Sequence, residues 1–211
     1  MITTYLSAIG LKDETRTGWE LRGVVHPESV ADHSWGTACL CLLYSGIAGV
    51  SSERSVAMAL VHDLAEVQTG DVATRVVSMS DPAIGREKSR RETLAMERIL
   101  GELPAGKRAE LMSLWEEYEA ATTEVALFVR DMNLVDMCAQ ALVYERDARY
   151  NGDMENPHFP DYHGMDEFFA TTNPRLSTRV GKDVLADLIK RYNQLPGIAA
   201  RGGVRLDHDP R

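Results

Sequence analysis

The chain has no C-x-x-C pair and only three cysteines in 211 residues, Cys39, Cys41 and Cys138. An odd, unpaired set argues against a disulfide framework and offers no thiolate zinc site, so the three read as small buried hydrophobes. There is no apolar run near the roughly 20 residues that span a bilayer. The first residues, MITTYLSAIGLKDE, lack the basic start, apolar core and small-residue cleavage site of a signal peptide. The expectation is a soluble, cytoplasmic protein without a membrane partner. Basic residues are in short supply: 23 Lys and Arg against 32 Asp and Glu give a net charge of −9. That argues against a nucleic acid polymer or an anionic membrane as partner, because both require a positive field. A small anion stays admissible, provided a local cation cluster or a metal receives it. Alternating strand-like runs, internal repeats and low-complexity segments are missing as well.

What remains is 44% hydrophobic content arranged with a period near 3.6, which predicts an all-α fold. The length suits one domain able to bury roughly 70% of its unfolded surface; we place it at residues 1–195, with 196–211, poor in apolar residues, as a flexible tail. Helices are predicted over about 2–12, 29–48, 52–67, 84–103, 123–149 and 178–192, with another that has Pro104 in its first turn and runs through LMSLWEEYEA. Ser51 or Ser52 caps the third and the Thr69-Gly70 pair stops it. The charged helix from Ile84 reads as solvent-facing rather than as a phosphate site. His158 and His163, in a turn-rich segment, read as surface residues. Between the first two helices lies a sixteen-residue irregular stretch, DETRTGWELRGVVHPE, long enough to be functional. Its Arg16, Trp19 and Arg22 either meet a ligand, or leave Trp19 anchoring the loop and both arginines solvated.

The chain's chemistry concentrates in LVHDLAEVQTGD, Leu60 to Asp71. At about 100° per residue, His62, Asp63 and Glu66 share one side of a helix while Leu60, Val61, Leu64 and Ala65 can face the core. An imidazole beside two carboxylates has the composition of a metal or acid–base site, and equally that of a solvated polar face. Asp71 follows the helix stop and either projects over that site or acts as a turn residue. Partners exist elsewhere: His33 near the start of the second helix, and a polar stripe of Asn133, Asp136 and Gln140 at i, i+3 and i+7 on the long helix. Metal-assisted hydrolysis needs such ligands to converge from several elements, with a carboxylate to handle the proton of water.

At this point the sequence resembles the HD-domain phosphohydrolase superfamily, and within it the 5′-deoxynucleotidase branch. The likeness is carried by Trp19, PESVADH (Pro27 to His33), LVHDLAEVQTGDVAT (Leu60 to Thr74), LWEEYE (Leu114 to Glu119) and FVRDMNLVDMCAQALVYE (Phe128 to Glu145). It implies a single HD-type helical bundle, usually a homodimer, that binds one divalent metal ion (Mn, Co, Mg, Zn or Fe) and releases phosphate from a deoxynucleoside monophosphate. It also implies His33, His62, Asp63 and, at the family's later Asp, Asn133 as metal ligands. Glu66 then orients or deprotonates the attacking water, with Asp71 and Arg16 beside it. Trp19, Arg22, Asp63, Asp71 and Thr74 meet the substrate. The chain departs from the pattern twice. Gly18 stands where some members carry Arg before the Trp, which leaves Arg16 or Arg22 to stabilise phosphate. Asn133 replaces a carboxylate, and either coordinates through its amide oxygen or yields to Asp136 one turn along; Asp131, about 200° round the helix, points elsewhere. The alternatives are a nucleotide-binding or scaffold protein with lost catalysis, and a nucleoside triphosphohydrolase.

Overall fold

The local sequence sets the helix ends. A computed structural model describes residues 1–73, 82–152, 157, 160–162 and 164–205. Helix α1 runs Ile2–Ala8 and passes into a 3-10 turn, Ile9–Lys12; a short α2 covers Thr17–Glu20. Helix α3, Val30–Ala48, opens on a capping box in which the Ser29 side chain accepts from the Asp32 amide and the Asp32 carboxylate accepts from the Ser29 amide, satisfying two otherwise unpaired donors. Ser51 caps α4, Ser52–Val61. After the short α5, Glu66–Thr69, come α6, Pro82–Leu100, α7, Ala105–Ala120, and α8, Glu124–Arg146, capped by Thr123. Helices α9, Asp166–Thr172, and α10, Arg179–Asn193, complete the bundle. No strand occurs among the described residues; a single bridge pairs Thr15 with Ser29 and ties the entry loop to the start of α3.

Helix α8 is the axis of the packing. It contacts α3, α4, α7, α9 and α10, and Phe128, Val129, Met132, Val135, Cys138 and Ala141 are buried along it. Cys41 is buried too and Cys39 half-buried, all three cysteines being free thiols. Asp131 points away from the Asn133 stripe: its carboxylate accepts from the amides of Ser177 and Thr178 and from the Thr178 hydroxyl, anchoring the start of α10. Among the described residues no helix is long and apolar enough to cross a membrane.

One expectation needs correction. The third helix does not continue to residue 67. It ends at Val61, and the chain tightens through turns at His62–Ala65, where Leu64 bonds back to Val61 and Glu66 to Asp63, before α5 begins. Three-residue spacing replaces four-residue spacing, so His62, Asp63 and Glu66 do not share one regular helical face. Of the stretch after residue 195, the described part has contacts with the body as far as Val204. Ile198 is buried, the Asn193 side chain bonds both the amide and the carbonyl of Val204, and Arg201 reaches Glu145 on α8 at 2.5 Å. His158 and His163, expected from the sequence at the surface, lie outside the described residues.

Candidate active site

Two helix ends deliver three ligand residues to one point. His33 lies in the first turn of α3, set by the Ser29 cap, and His62 and Asp63 lie where α4 breaks into turns. One donor atom from each of these three residues falls within 4.8 Å of the others. The imidazoles are fixed from behind. His62 Nδ1 lies 2.7 Å from the carbonyl oxygen of Ala59; a carbonyl only accepts, so Nδ1 carries the proton and Nε2 the lone pair. His33 Nδ1 is held at 2.8 Å by Asp136 Oδ2. Both Nε2 atoms are buried without a hydrogen-bond partner among the described residues, at 3.8 Å and 3.1 Å from Asp63 Oδ2. Two unsatisfied imidazole nitrogens facing a carboxylate fit a divalent cation, since stranding such groups in a dry site is costly.

The electrostatics agree. Burial would lower the His62 pKa, and the Asp63 carboxylate together with the Ala59 carbonyl more than reverses this, leaving it above the ordinary histidine value. Burial raises Asp63, but His62, Arg16 and His33 hold it well below the ordinary carboxylate range. Burial and the Arg16 charge push His33 down to about 3, keeping it neutral. Glu66 goes the other way: burial, then repulsion from Asp63 and Asp71, pushes it up to about 10. Its Oε2 is buried and unpartnered among the described residues.

Arg16 closes the opposite side. Gly70 has φ +76° and ψ 156°, a conformation open to glycine and strained for other residues, and it turns the chain so that Asp71 meets the entry loop. The Asp71 carboxylate accepts from Arg16 Nη1 at 2.8 Å and from the Thr17 amide at 2.7 Å. Its carbonyl accepts from the Thr17 hydroxyl at 2.8 Å, and its amide donates to Glu14 at 3.1 Å. Asp71 thus sets the position of Arg16, which also lies 3.4 Å from Asp63. Burial alone would lower the Arg16 pKa; Asp71 and Asp63 outweigh it and keep the guanidinium charged.

Arg16, Asp63 and Asp71 line a cavity of about 300 Å³, with Glu66, Asn133, Tyr118, Trp19 and Phe168 also in its walls. Trp19 is an anchor as well as a wall: it is 1% exposed, stacks on Phe168 at 4.1 Å, and donates its indole N–H to Glu28 at 2.8 Å. Asn133 donates its amide N–H to the Tyr118 hydroxyl at 2.6 Å, leaving its oxygen available for other uses. Arg22, expected at the substrate, is elsewhere. Its guanidinium donates to the carbonyls of Tyr162 and Gly164 and does not line the cavity, because a buried charge is best satisfied by the backbone oxygens that surround it. Asp136, the other candidate for the fourth ligand, lies behind His33. It meets His33 at Nδ1, while Nε2 is the nitrogen on the side of Asp63. Thr74 lies outside the described residues.

Several cavity residues were not singled out from the sequence. Lys88, on the helix expected to be solvent-facing, lines the wall and pairs with Glu92. Arg130 continues the Asn133–Asp136–Gln140 stripe one turn N-terminally, a signal that was there to follow. Phe168 and Arg175 arrive from beyond the long connection after α8 and carry no local signal.

The chain has relatives. A family model described as HD domain matches residues 9–167. The chain is 40% identical over 142 residues to the 5′-deoxynucleotidase HDDC2 of Danio rerio, covering 67% of this chain and 68% of that protein. It is 35% identical over 153 residues to the 5′-deoxynucleotidase hdd1 of Schizosaccharomyces pombe, covering 71% and 73%. The crystal structure of PH0347 protein from Pyrococcus horikoshii OT3 superposes with a TM-score of 0.67 at 26% identity, over 90% of this chain and 99% of that one.

Proposed function

The chain belongs to the HD-domain family and is a metal-dependent nucleotide phosphohydrolase, and from that premise we propose that it releases phosphate from deoxynucleoside 5′-monophosphates at the cavity over His33, His62 and Asp63. The observation that carries this reading is the pair of buried, unpartnered Nε2 atoms facing Asp63 at the cavity wall. The relatives' activity supports the substrate class.

In this reading His33, His62 and Asp63 hold one divalent ion, with the Asn133 amide oxygen as the fourth protein ligand. When bound, the ion supplies Lewis-acid polarisation and water activation. Glu66 Oε2 takes the proton of the attacking water. Its carboxyl is held neutral by burial and by Asp63 and Asp71, so neutralising Asp63 is what allows it to ionise and serve as a base. Arg16, locked by Asp71, offsets the charge that grows on the phosphoryl oxygens. Trp19 and Phe168 form the apolar wall for the nucleoside, and residues 1–195 form the catalytic domain.

The reading includes a cytoplasmic homodimer acting on small nucleotides rather than polymers or membranes. Support for the dimer comes from α3, whose outer face leaves Trp35, Leu42, Leu43 and Ile47 exposed at 64% or more, an apolar stripe suited to a second copy. The test is phosphate release from a panel of nucleoside 5′-phosphates and their deoxy forms with Mn²⁺, Co²⁺, Mg²⁺ and Zn²⁺. Turnover of deoxynucleoside monophosphates is expected. Folded protein that releases no phosphate with any of these ions overturns the reading.

A further inference from the structure

The cavity is larger than a single phosphate site requires, and its cations are not all accounted for. Arg16 is answered by Asp71 and Asp63, and Lys88 by Glu92. Arg130 and Arg175 line the same cavity and form no ion pair among the described residues. Arg130 lies over the Tyr118 ring, 5.7 Å from its centre, and donates to the backbone oxygen of Glu119 at 3.4 Å. Arg175 ends the 3-10 turn Asn173–Arg175, with buried Leu176 fixing the backbone behind it. Burial and the charge of Arg130 lower the Arg175 pKa, and no carboxylate acts against them. Glu119 lies in the same wall and is the acid that feels the Arg130 charge, whereas Arg175 has none acting on it and is repelled by Arg130. An anion relieves that repulsion, and the planar guanidinium matches phosphate oxygens two at a time.

Position makes the pair distinct from the metal triad. On α8, Arg130 and Asp136, the latter lying behind His33, are six residues apart, roughly 9 Å along the axis. Asn133 and Tyr118 lie between the two. We propose that Arg130 and Arg175 form a second anion subsite, which receives a phosphoryl group of the ligand other than the one at the triad, so that nucleotides carrying two phosphates bind better than monophosphates. This rests on the cavity being the nucleotide site argued above. The second phosphate can be attached at the 3′ position or along the 5′ chain, and the chemistry recognised is the same.

Inorganic phosphate is the first probe. Calorimetric titration of the metal-loaded protein is expected to show two phosphates, one of which weakens at least tenfold in Arg175→Ala and in Arg130→Ala and partly recovers in Arg175→Lys. A single phosphate in the wild type, or two that neither substitution affects, overturns the subsite. This titration does not depend on turnover, so it stands even if no phosphoester is hydrolysed. The second probe set compares 2′-deoxyadenosine 5′-monophosphate, 3′,5′-bisphosphate and 5′-diphosphate on metal-loaded Glu66→Gln protein. A bisphosphate preference of about tenfold or more that vanishes with Arg175→Ala assigns the 3′ source, and a diphosphate preference assigns the chain source. Monophosphate bound as tightly as both others overturns the subsite and leaves the hydrolase reading untouched.

Discussion

A Cβ on Gly36 would lie 2.2 Å from Asp136 Oδ1, so the carboxylate that holds His33 reaches it only because residue 36 has no side chain. Gly36 is one turn beyond His33 on α3, and Asp136 comes across from α8. The two residues are a matched pair: the missing side chain on one helix makes room for the charge on the other. That charge sets the orientation of a metal-facing imidazole, and partners of this kind commonly change metal affinity by about 10–100-fold.

Gly36→Ala is therefore expected to lower affinity for a divalent ion by about that factor, since Asp136 must leave His33 Nδ1 to accommodate the methyl. Asp136→Ala should do the same without crowding α3. Metal titration of both variants, with circular dichroism to confirm folding, checks this. Undiminished affinity in Asp136→Ala would show that His33 does not need the carboxylate.

At Asn133 the expectation has the opposite sign. Asn133→Asp restores a carboxylate beside the triad, and the Tyr118 hydroxyl, which now accepts from the amide, can donate to it instead. Metal affinity is expected to rise by at least about tenfold, ~1.4 kcal/mol. An unchanged affinity would remove Asn133 from the coordination sphere.

Arg16 and Arg22 occupy the same loop and should fail in different ways. Arg16→Ala removes a cation held against Asp63 and Asp71, and is expected to cost about 10²–10³ in kcat while the fold survives. Arg22 is 5% exposed and its charge is met by the Tyr162 and Gly164 carbonyls. Arg22→Ala strands those acceptors and should cost about 2–3 kcal/mol of stability, with kcat of the folded protein largely retained. Denaturation curves and initial rates on both variants separate the two roles.

These two arginines also mark the limit of what the residue pattern discloses. Helices α3, α4 and α8 are legible because apolar spacing and Ser or Thr caps are local signals, and His33, His62 and Asp63 could be named because the His-Asp pair, Glu66 and the Thr69-Gly70-Asp71 stop follow PESVADH in a combination that resembles a known family. Choosing between Arg16 and Arg22 was not possible from type or spacing. The deciding contacts are Asp71, 55 residues from Arg16, and Gly164, 142 residues from Arg22. The break after Val61 escaped for a related reason: apolar residues continue through Leu64 and Ala65, both buried, so the periodicity persists while the hydrogen bonding tightens. Asp136 could be recognised as part of a polar stripe that either faces water or lines a site, but its place at His33 Nδ1 depends on Gly36, a residue that matters for what it lacks.

Glu145 offers a pH test away from the metal. Its carboxylate accepts from Tyr150, Tyr192, the Met165 amide and Arg201, joining α8 to the chain after α10. Burial alone would raise its pKa, but these donors together hold it below the ordinary 4.5. A depressed carboxylate contributes stability that is present above its unfolded pKa and is lost as pH falls through the lower, folded one. Glu145→Gln keeps the shape and removes the charge, so at pH 7 it is expected to be less stable by about 2 kcal/mol. Between pH 7 and 5 that gap should stay constant. Below about 4.5 it should close, because the wild-type carboxyl becomes neutral in the unfolded chain first and then in the folded one. Urea denaturation of both proteins at several pH values measures the gap directly. A gap that persists undiminished well below pH 4 would mean that packing, rather than the carboxylate charge, accounts for the contribution of Glu145.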